Sequence, residues 1–587
     1  MNQYQKLTEM YSTHPFSASL RSVRHKPYFR SILYSSLVIF SIYFLYKFVH
    51  PSTIYTQFKP FAGDLSETYA PADKVAPQVW QDRAKSVKAA FLHGYHGYER
   101  YAQPHDELLP LSNGYRNNFN GWGVSMYDSL DTMLLMDLED EYARAIPFIE
   151  KTVFSLPEGQ FAPFFETIIR YLGGLLSAYA LRKDEVLLRR ADELAEKLDH
   201  VFATPSGFLY LDGTVVGPEI GILAEIASLQ LEYTTLAKFT GKKRWWDRAN
   251  TVIRALEKAN LRDTGGMFPI GWNLSNAQPK DTHLSVGAQA DSAHEYLLKQ
   301  YLLTAKTDKA NLEMYLRATT HIITNLLFLS PTRHLLYVTD AQFPTLDHKG
   351  RPSHRFEHLS CFLPGLLALG AHTLPLDDLT SVGIDLEHLG TGIYLLAGYN
   401  LKTLHMWAAE GLAQTCWLTY ADMPTGLGPD EMLMHTVSDL WRETGDSFKE
   451  GGYSWMDAIS KWKRSGARGA PPGVGDKTPV TLESLYLLWR TTGNSKWRDR
   501  GWRIFDSIER NTKTPSGYAS LITVEVMPPA KDDDMPSYFF AETLKYLYLM
   551  FSDNDPISLD EWVFNTEAHP LPVIRWSQSE KDAFNIP

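Results

Sequence analysis

Carboxylates recur along this 587-residue chain, each inside its own helical phrase. FETIIRYLGG carries Glu166 and Arg170, GAQADSAHEYLLKQ carries Asp291, and AETLKYLYLMF carries Glu542. VFNTEAHP sets Thr566 beside Glu567. Paired carboxyl groups, one protonated and one ionised, are what cleavage of a glycosidic bond requires. Taken singly, each residue also has a structural reading. Glu166 and Arg170 stand at i,i+4 and form an ordinary helical ion pair. Asp291 opens a helix and Asp430 follows Gly428-Pro429, so both are cap-like. Glu357-His358 precedes Cys361, where a lone His is most often structural. Against the surface reading, Glu166 and Arg170 lie between Phe164-Phe165 and Gly173-Gly174, an apolar, closely packing context.

The elements that must position these groups are helices. Apolar residues recur at three and four through Ile168, Ile169, Leu172, Leu175, Leu176 and Tyr179. Further helical runs are expected over 220–239, 292–304, 481–492 and 539–551. Turn clusters separate them, as at Asp263-Thr-Gly-Gly266 and Thr514-Pro-Ser-Gly517. No alternating pattern is long enough for a sandwich or a parallel sheet. Many helices joined by short loops predict an all-α ring of hairpins, built as one large domain.

Composition is that of an ordinary globular protein, 44% hydrophobic and 21% charged. A net charge of −11 argues against nucleic acid as a partner, since phosphate binding needs a basic face. HExxH, CxxC, GxGxxG and Walker patterns are absent, which disfavours zinc, dinucleotide and nucleotide chemistry. Residues 31–49 form an apolar run broken only by Lys47 and preceded by Arg21, Arg24, Lys26 and Arg30. That run is long enough to span a thin bilayer, and the basic flank predicts a type II anchor with the bulk of the chain in the lumen. A cleaved signal peptide is the alternative. The expected organisation is a cytosolic tail at 1–30, an anchor at 31–49, a Pro-rich stem at 50–78, a catalytic domain at 79–575 and a tail at 576–587. In a lumen, the two cysteines, Cys361 and Cys416, form a plausible disulfide, with two buried thiols as the alternative. The sequon at Asn273 agrees with luminal exposure.

Together these phrases resemble the class I α-1,2-mannosidases of glycoside hydrolase family 47. The resemblance also covers HDELLPLS (105–112), YDSLDTMLLM (127–136), AEIASLQLE (224–232), HLSCFLPG (358–365) and SLYLLWR (484–490). It implies an (α/α)7 barrel, one bound Ca²⁺, and removal of α-1,2-linked mannose from high-mannose N-glycans with inversion, at the endoplasmic reticulum or Golgi membrane. By position, Glu166 resembles the general acid and Asp291 a second catalytic carboxylate. Arg170, Glu225, Glu357, His358, Asp430, Glu483, Tyr538, Glu542 and Glu567 match substrate- or calcium-shell positions, and Thr566 matches the direct calcium ligand. Cys361 and Cys416 match the family's disulfide.

The chain departs from the family at three places. Gln289 stands where an Arg is common, and Tyr538 where a Phe is common. The family's Arg-Pro-Glu phrase is absent ahead of Thr481, where Thr478, Pro479 and Val480 stand instead. Val cannot carry a proton, and a short segment missing between Val480 and Thr481 would account for the change. A catalytically silent glycan-binding protein on the same fold is the alternative that this departure raises.

Overall fold

The computed structural model describes residues 76–586 apart from 209–219, 332, 334, 346–349, 391, 397–398, 435–438, 442–467, 470–478 and 553–554. The expected anchor at 31–49 and most of the stem lie outside the described residues, as does Thr478. Among the described residues, no helix is long and apolar enough to cross a membrane.

Two kinds of helix build the fold. One kind is buried on every side. In Asp291–Leu303, all residues from Ser292 to Leu303 are buried, and Val124–Leu135 and Leu363–Thr373 are nearly as enclosed. The other kind buries a single stripe. Lys243–Glu257 covers Trp245, Trp246, Ala249, Val252, Ile253 and Leu256 and turns its charges outward. Each enclosed helix pairs with a striped one that follows it: Gly173–Arg182 with Glu185–Leu198, Gln230–Thr240 with Lys243–Glu257, Asp291–Leu303 with Lys309–His321, and Pro479–Thr492 with Lys496–Asn511. Val124–Leu135 packs likewise on Glu139–Lys151, and Leu363–Thr373 on Leu401–Ala421. The last enclosed helix, Leu544–Phe551, pairs with the first helix of the described chain, Pro77–Tyr101.

The enclosed helices also touch one another in sequence order. The final one contacts both Pro479–Thr492 and, through the turn Phe539–Thr543, Val124–Leu135. The ring is therefore closed, with seven helical pairs among the described residues, as expected. Because each inner helix is followed by an outer helix running back, all inner helices point the same way and their N-termini gather at one end. Most connections at the opposite end are short, such as 183–184 and 241–242; the one between Leu363–Thr373 and Leu401–Ala421 is long and carries short helical turns. Those leading into inner helices are long and carry small antiparallel sheets. One such sheet pairs Arg355–Glu357 with Glu431–Leu433, and another pairs Ile220–Ile222 with Gly271–Asn273.

Three local features differ from the expected helices. The run at 220–239 is not continuous: a strand at Ile220–Ile222 leads to a single turn, Leu223–Ile226, and the helix restarts at Gln230. The cause is pairing outside the helix, since the amide of Leu223 donates to Ile270 O (2.9 Å) and that of Ala224 to Gln289 O (3.0 Å). Thr167–Leu172 and Phe539–Thr543 are π-turns rather than α-helix, a distortion frequent at functional sites. Residues Gln578–Phe584, in the expected C-terminal tail, form a helix with a capping box at Ser577 and Glu580, and Phe584 is buried against Trp576.

Cys361 and Cys416 are disulfide-bonded, with Cα atoms 6.0 Å apart, tying the turn ahead of Leu363–Thr373 to its outer partner. The hairpin of Trp562–Phe564 and Pro570–Pro572 lays its tip across the inner ring. It fits because residues 173 and 174 lack side chains. A Cβ on Gly173 would lie 2.6 Å from the Asn565 amide, and one on Gly174 would lie 2.4 Å from the backbone oxygen of Tyr127. Backbone cannot yield as a flexible side chain can. Gly174→Ala is expected to lower stability by about 1–3 kcal/mol in chemical denaturation. An unchanged denaturation midpoint would mean that the inner helices Gly173–Arg182 and Val124–Leu135 do not approach each other this closely.

Candidate active site

Acidic residues occupy the N-terminal ends of inner helices around the ring. Asp128 lies in the first turns of Val124–Leu135. Glu166 immediately precedes the turn Thr167–Leu172. Asp291 and Glu295 open Asp291–Leu303, Glu483 lies in the first turns of Pro479–Thr492, and Glu542 lies within Phe539–Thr543. Helix N-termini carry partial positive charge, so this is where a fold tolerates carboxylates. Glu225 sits on the isolated turn before Gln230–Thr240, and Glu357 and His358 sit just ahead of Leu363–Thr373. Glu567 and Thr566 come from the tip of the hairpin.

Arg170 joins the first group. Its Nε donates to Glu166 Oε2 (2.8 Å), and Nη1 donates to Glu567 and to Ser537 Oγ (3.3 Å). Asp128 Oδ2 lies 3.5 Å from the same Nη1, and the guanidinium rests over the ring of Phe119. Arg170 and Glu567 are buried, whereas the Glu166 side chain keeps 31% of its exposure. Glu166 is therefore fixed from behind and open in front. Lys299 joins the second group: it is bonded to Glu295 and donates to Glu483 Oε1 (3.0 Å).

Burial pushes Glu542 well above the usual carboxylate range. Arg170 opposes that shift, and the charges of Glu483, Glu295 and Asp128 add to it. Glu567 is raised for the same reasons, with Glu542 and Glu166 among its repelling neighbours. Glu483 is raised to about 7 by burial, with Lys299 opposing and Glu295 contributing. On the other side, burial lifts Asp291 to about 7, aided by Glu295 and Glu357. Asp291 is not an N-cap. It is the first helical residue, and its Oδ1 accepts the amide of Ser292 (2.7 Å). Glu357 accepts the amide of Ala288 (2.9 Å), an approach open only because residue 287 is glycine. Burial, and then the charge of Glu166, raises Glu225 to about 7.

These couplings link Glu166, Arg170, Glu225, Asp291, Glu357, Glu483, Glu542 and Glu567 into one neighbourhood. Thr566 joins through its amide, 3.5 Å from the Tyr296 hydroxyl. His358 is buried, with Nε2 3.2 Å from Thr481 Oγ1, and its amide donates to the carbonyl of Asp430 (2.8 Å). Tyr538 is half-buried at the start of the turn that holds Glu542. Val480 lies in the first turn of Pro479–Thr492, two residues before Leu482 and three before Glu483.

Several participants were not singled out from sequence. Glu295 and Lys299 form a buried i,i+4 pair, and that spacing within GAQADSAHEYLLKQ was the available signal. A second buried layer lies beneath Arg170. His569 Nδ1 is 2.8 Å from Asp131 Oδ2, and its Nε2 is 3.3 Å from Asp128 Oδ1. Lys545 Nζ reaches Asp131 Oδ1 at 2.9 Å, with all four side chains fully enclosed. Burial alone would raise Asp131, but Lys545 and His569 hold it down at about 2. Asn565 Oδ1 accepts the amides of Glu567 (3.0 Å) and His569 (2.8 Å), which fixes the hairpin tip.

Among the described residues, six carboxylates, Asp128, Glu166, Glu295, Glu483, Glu542 and Glu567, share Arg170 and Lys299 in the central group, with His569 reaching Asp128 from beneath. That surplus of negative charge fits a divalent, oxygen-preferring cation. Among the described residues, no three Asp, Glu, His or Cys side chains are spaced to chelate one directly. Thr566, beside Glu567 at the hairpin tip, has a hydroxyl and a carbonyl that could serve as oxygen ligands.

The sequence model of glycosyl hydrolase family 47 matches residues 90–573. Mannosyl-oligosaccharide alpha-1,2-mannosidase IA of Drosophila melanogaster is 34% identical over 508 residues, covering 84% of this chain and 68% of that protein. The endoplasmic reticulum mannosyl-oligosaccharide 1,2-alpha-mannosidase of Homo sapiens is 35% identical over 510 residues, covering 84% of this chain and 64% of its own length. The solved alpha-1,2-mannosidase from Trichoderma reesei superposes with a TM-score of 0.70 at 28% identity, covering 84% of this chain and 99% of that one. The chain belongs to glycosyl hydrolase family 47.

The raised carboxyls carry a signature in stability. A carboxyl lifted on folding stabilises the fold below its unfolded value of about 4.3, and that stability is lost as pH rises through its folded value. For Glu225 the loss runs up to about 7. Glu225→Gln should therefore gain melting temperature relative to the parent as pH rises from about 5 to about 8. A parent-to-variant difference that does not change with pH would show that Glu225 is not held in a dry, acidic site.

Proposed function

We propose that this chain is an α-1,2-mannosidase that removes α-1,2-linked mannose from high-mannose N-glycans with inversion. The observation that carries the reading is the gathering of carboxylates at one end of a closed helical ring, with Glu166 held by Arg170 and open to solvent, in a chain of this family. Glu166 delivers the proton to the leaving oxygen. Arg170 fixes its orientation, and Glu567 and Asp128 fix Arg170 in turn. Asp291, with a value of about 7, is part-ionised near neutrality and suits a group that takes a proton from water. An inverting pair must stand far enough apart to admit that water. Groups on separate inner helices meet this requirement, and neighbours on one helix do not. Glu225, Glu357, Glu483, Glu542 and Tyr538 face the sugar or its cation, with His358 and Asp430 supporting Glu357. Ca²⁺ held by Thr566 would grip sugar hydroxyls and orient water.

The glycan substrate and the resemblance to an endoplasmic reticulum enzyme support a luminal site, anchored by residues 31–49 in the endoplasmic reticulum or Golgi membrane. Val480 favours a second reading, a glycan-binding protein with little turnover.

Two experiments decide among these readings. Chelation with EDTA should lower the melting temperature of the parent, and Thr566→Ala should abolish that response. Equal melting curves with and without chelator in the parent would remove the cation from the account. For turnover, mannose release from an α-1,2-linked oligosaccharide is compared between the chain as it stands and one with Arg-Pro-Glu inserted between Val480 and Thr481. Restoring a general base is worth about 10²–10⁴ in rate, and the insertion should recover a gain of that size. Full activity in the unmodified chain would show that Asp291 suffices, and activity in neither would favour the glycan-binding reading.

A further inference from the structure

Asn273 heads the single Asn-x-Ser/Thr triplet of the sequence, Asn273-Leu274-Ser275, and has no part in the chemistry above. It ends the strand Gly271–Asn273, where the chain turns back into Gln278–Pro279. The turn is held from inside. Leu274 is buried against Gly221, its carbonyl accepts the Ser206 hydroxyl, and the amide of Ala277 donates to Asn273 O (2.9 Å). The neighbours of Leu274 are more open: Asn273 is half-buried and Ser275 is exposed.

Asn273 also has an ordinary role in this turn. Its Oδ1 accepts the amide of Ser275 (2.8 Å), the side-chain-to-backbone bond that suits Asn to turns. That role uses the oxygen alone. Among the described residues, neither Asn273 Nδ2 nor the Ser275 hydroxyl has a hydrogen-bond partner. The atom that carries an N-linked glycan is therefore free, and the bond that orients the side chain survives the linkage. The strand register adds a platform. Asn273 pairs with Ile220 across antiparallel strands, so both side chains stand on one face with Cβ atoms about 4.5–5.5 Å apart. Ile220 lies on an edge strand and is 48% exposed. A sugar on Asn273 removes that apolar surface from water.

We propose that Asn273 is an N-glycosylation site whose first sugar packs on Ile220. In the transfer, Nδ2 attacks the anomeric carbon of a lipid-pyrophosphate-linked oligosaccharide. A C–N bond forms, the C–O bond to pyrophosphate breaks, the pyrophosphate leaves with the electron pair, and Nδ2 gives up a proton. The inference rests on the luminal placement proposed above, because the donor is presented in that compartment.

The test uses the full chain made in a eukaryotic secretory host, with mobility and peptide masses compared before and after peptide N-glycosidase. Ser275→Ala removes the triplet yet keeps the turn, because Asn273 bonds the Ser275 backbone amide. The parent should lose a single glycan on digestion and show Asp at position 273, and Ser275→Ala should not respond. A response that persists in Ser275→Ala would overturn the site. The control adds Glu158→Asn and Gln160→Thr to Ser275→Ala, which sets a triplet on an exposed loop around Gly159. A silent parent beside a responding control would overturn the site and leave the luminal placement standing, and silence from both would overturn both. For the packing, the glycosylated parent should melt above Ser275→Ala, and Ile220→Ser should shrink that difference. A difference of the same size with Ile220→Ser would overturn the contact.

Discussion

An excess of buried negative charge is the constraint on which this structure depends. Among the described residues, six carboxylates crowd the end of the inner ring against Arg170 and Lys299, with His569 beneath Asp128. Taking charges out of water costs several kcal/mol each unless they are paired and hydrogen-bonded. Three devices meet that cost here: the positive ends of the inner helices, the two buried cations, and the raised values of Glu483, Glu542 and Glu567. What remains uncompensated is the electrostatic basis of the cation proposed for this site.

The architecture follows from the need to bring these groups together. A ring in which every inner helix is followed by a returning outer helix places all inner N-termini at one end. Residues separated by hundreds of positions in sequence then become neighbours, as Arg170 and Glu567 are. The long connections at that end add the sheets that hold Glu357 and Glu225, whereas the short loops at the far end only turn the chain. The hairpin tip carrying Thr566 and Glu567 completes the centre, and it depends on the missing side chains at Gly173 and Gly174. Beneath it, Asp131, His569 and Lys545 form a balanced buried layer that fixes the backbone around Ala568, whose carbonyl accepts from Lys545 (2.7 Å).

Much of this was legible in sequence because Glu166, Asp291 and Glu542 sit in phrases with helical periodicity, so residue type and element could be read together; VFNTEAHP, expected as a helical phrase, is instead the tip of a β-hairpin. The disulfide was legible because only two cysteines exist. Which charges compensate which was not, since the pairing of Lys299 with Glu483 spans 184 positions and no local pattern records it. His569 and Lys545 were passed over for the same reason, although both lie inside quoted phrases. The break at Ala227–Leu229 was hidden because apolar residues recur on both sides of it. Just ahead of it, pairing of Leu223 with Ile270 and of Ala224 with Gln289 overrides helical periodicity. The π-turns at 167–172 and 539–543 leave no mark in residue types at all. Val480 is the reverse case: a departure plain in sequence, in a chain whose described site is otherwise assembled around it.

The central claim is that these converging carboxylates cleave an α-mannoside with water entering from the face opposite the leaving group. Proton NMR of the first mannose released from α-1,2-mannobiose reads this directly, before the sugar mutarotates. With the chain carrying the Arg-Pro-Glu insertion at high concentration, the account predicts that β-mannose appears first and the α-anomer grows in later. Initial release of α-mannose would contradict it, because retention requires a covalent intermediate and carboxyl groups held close together.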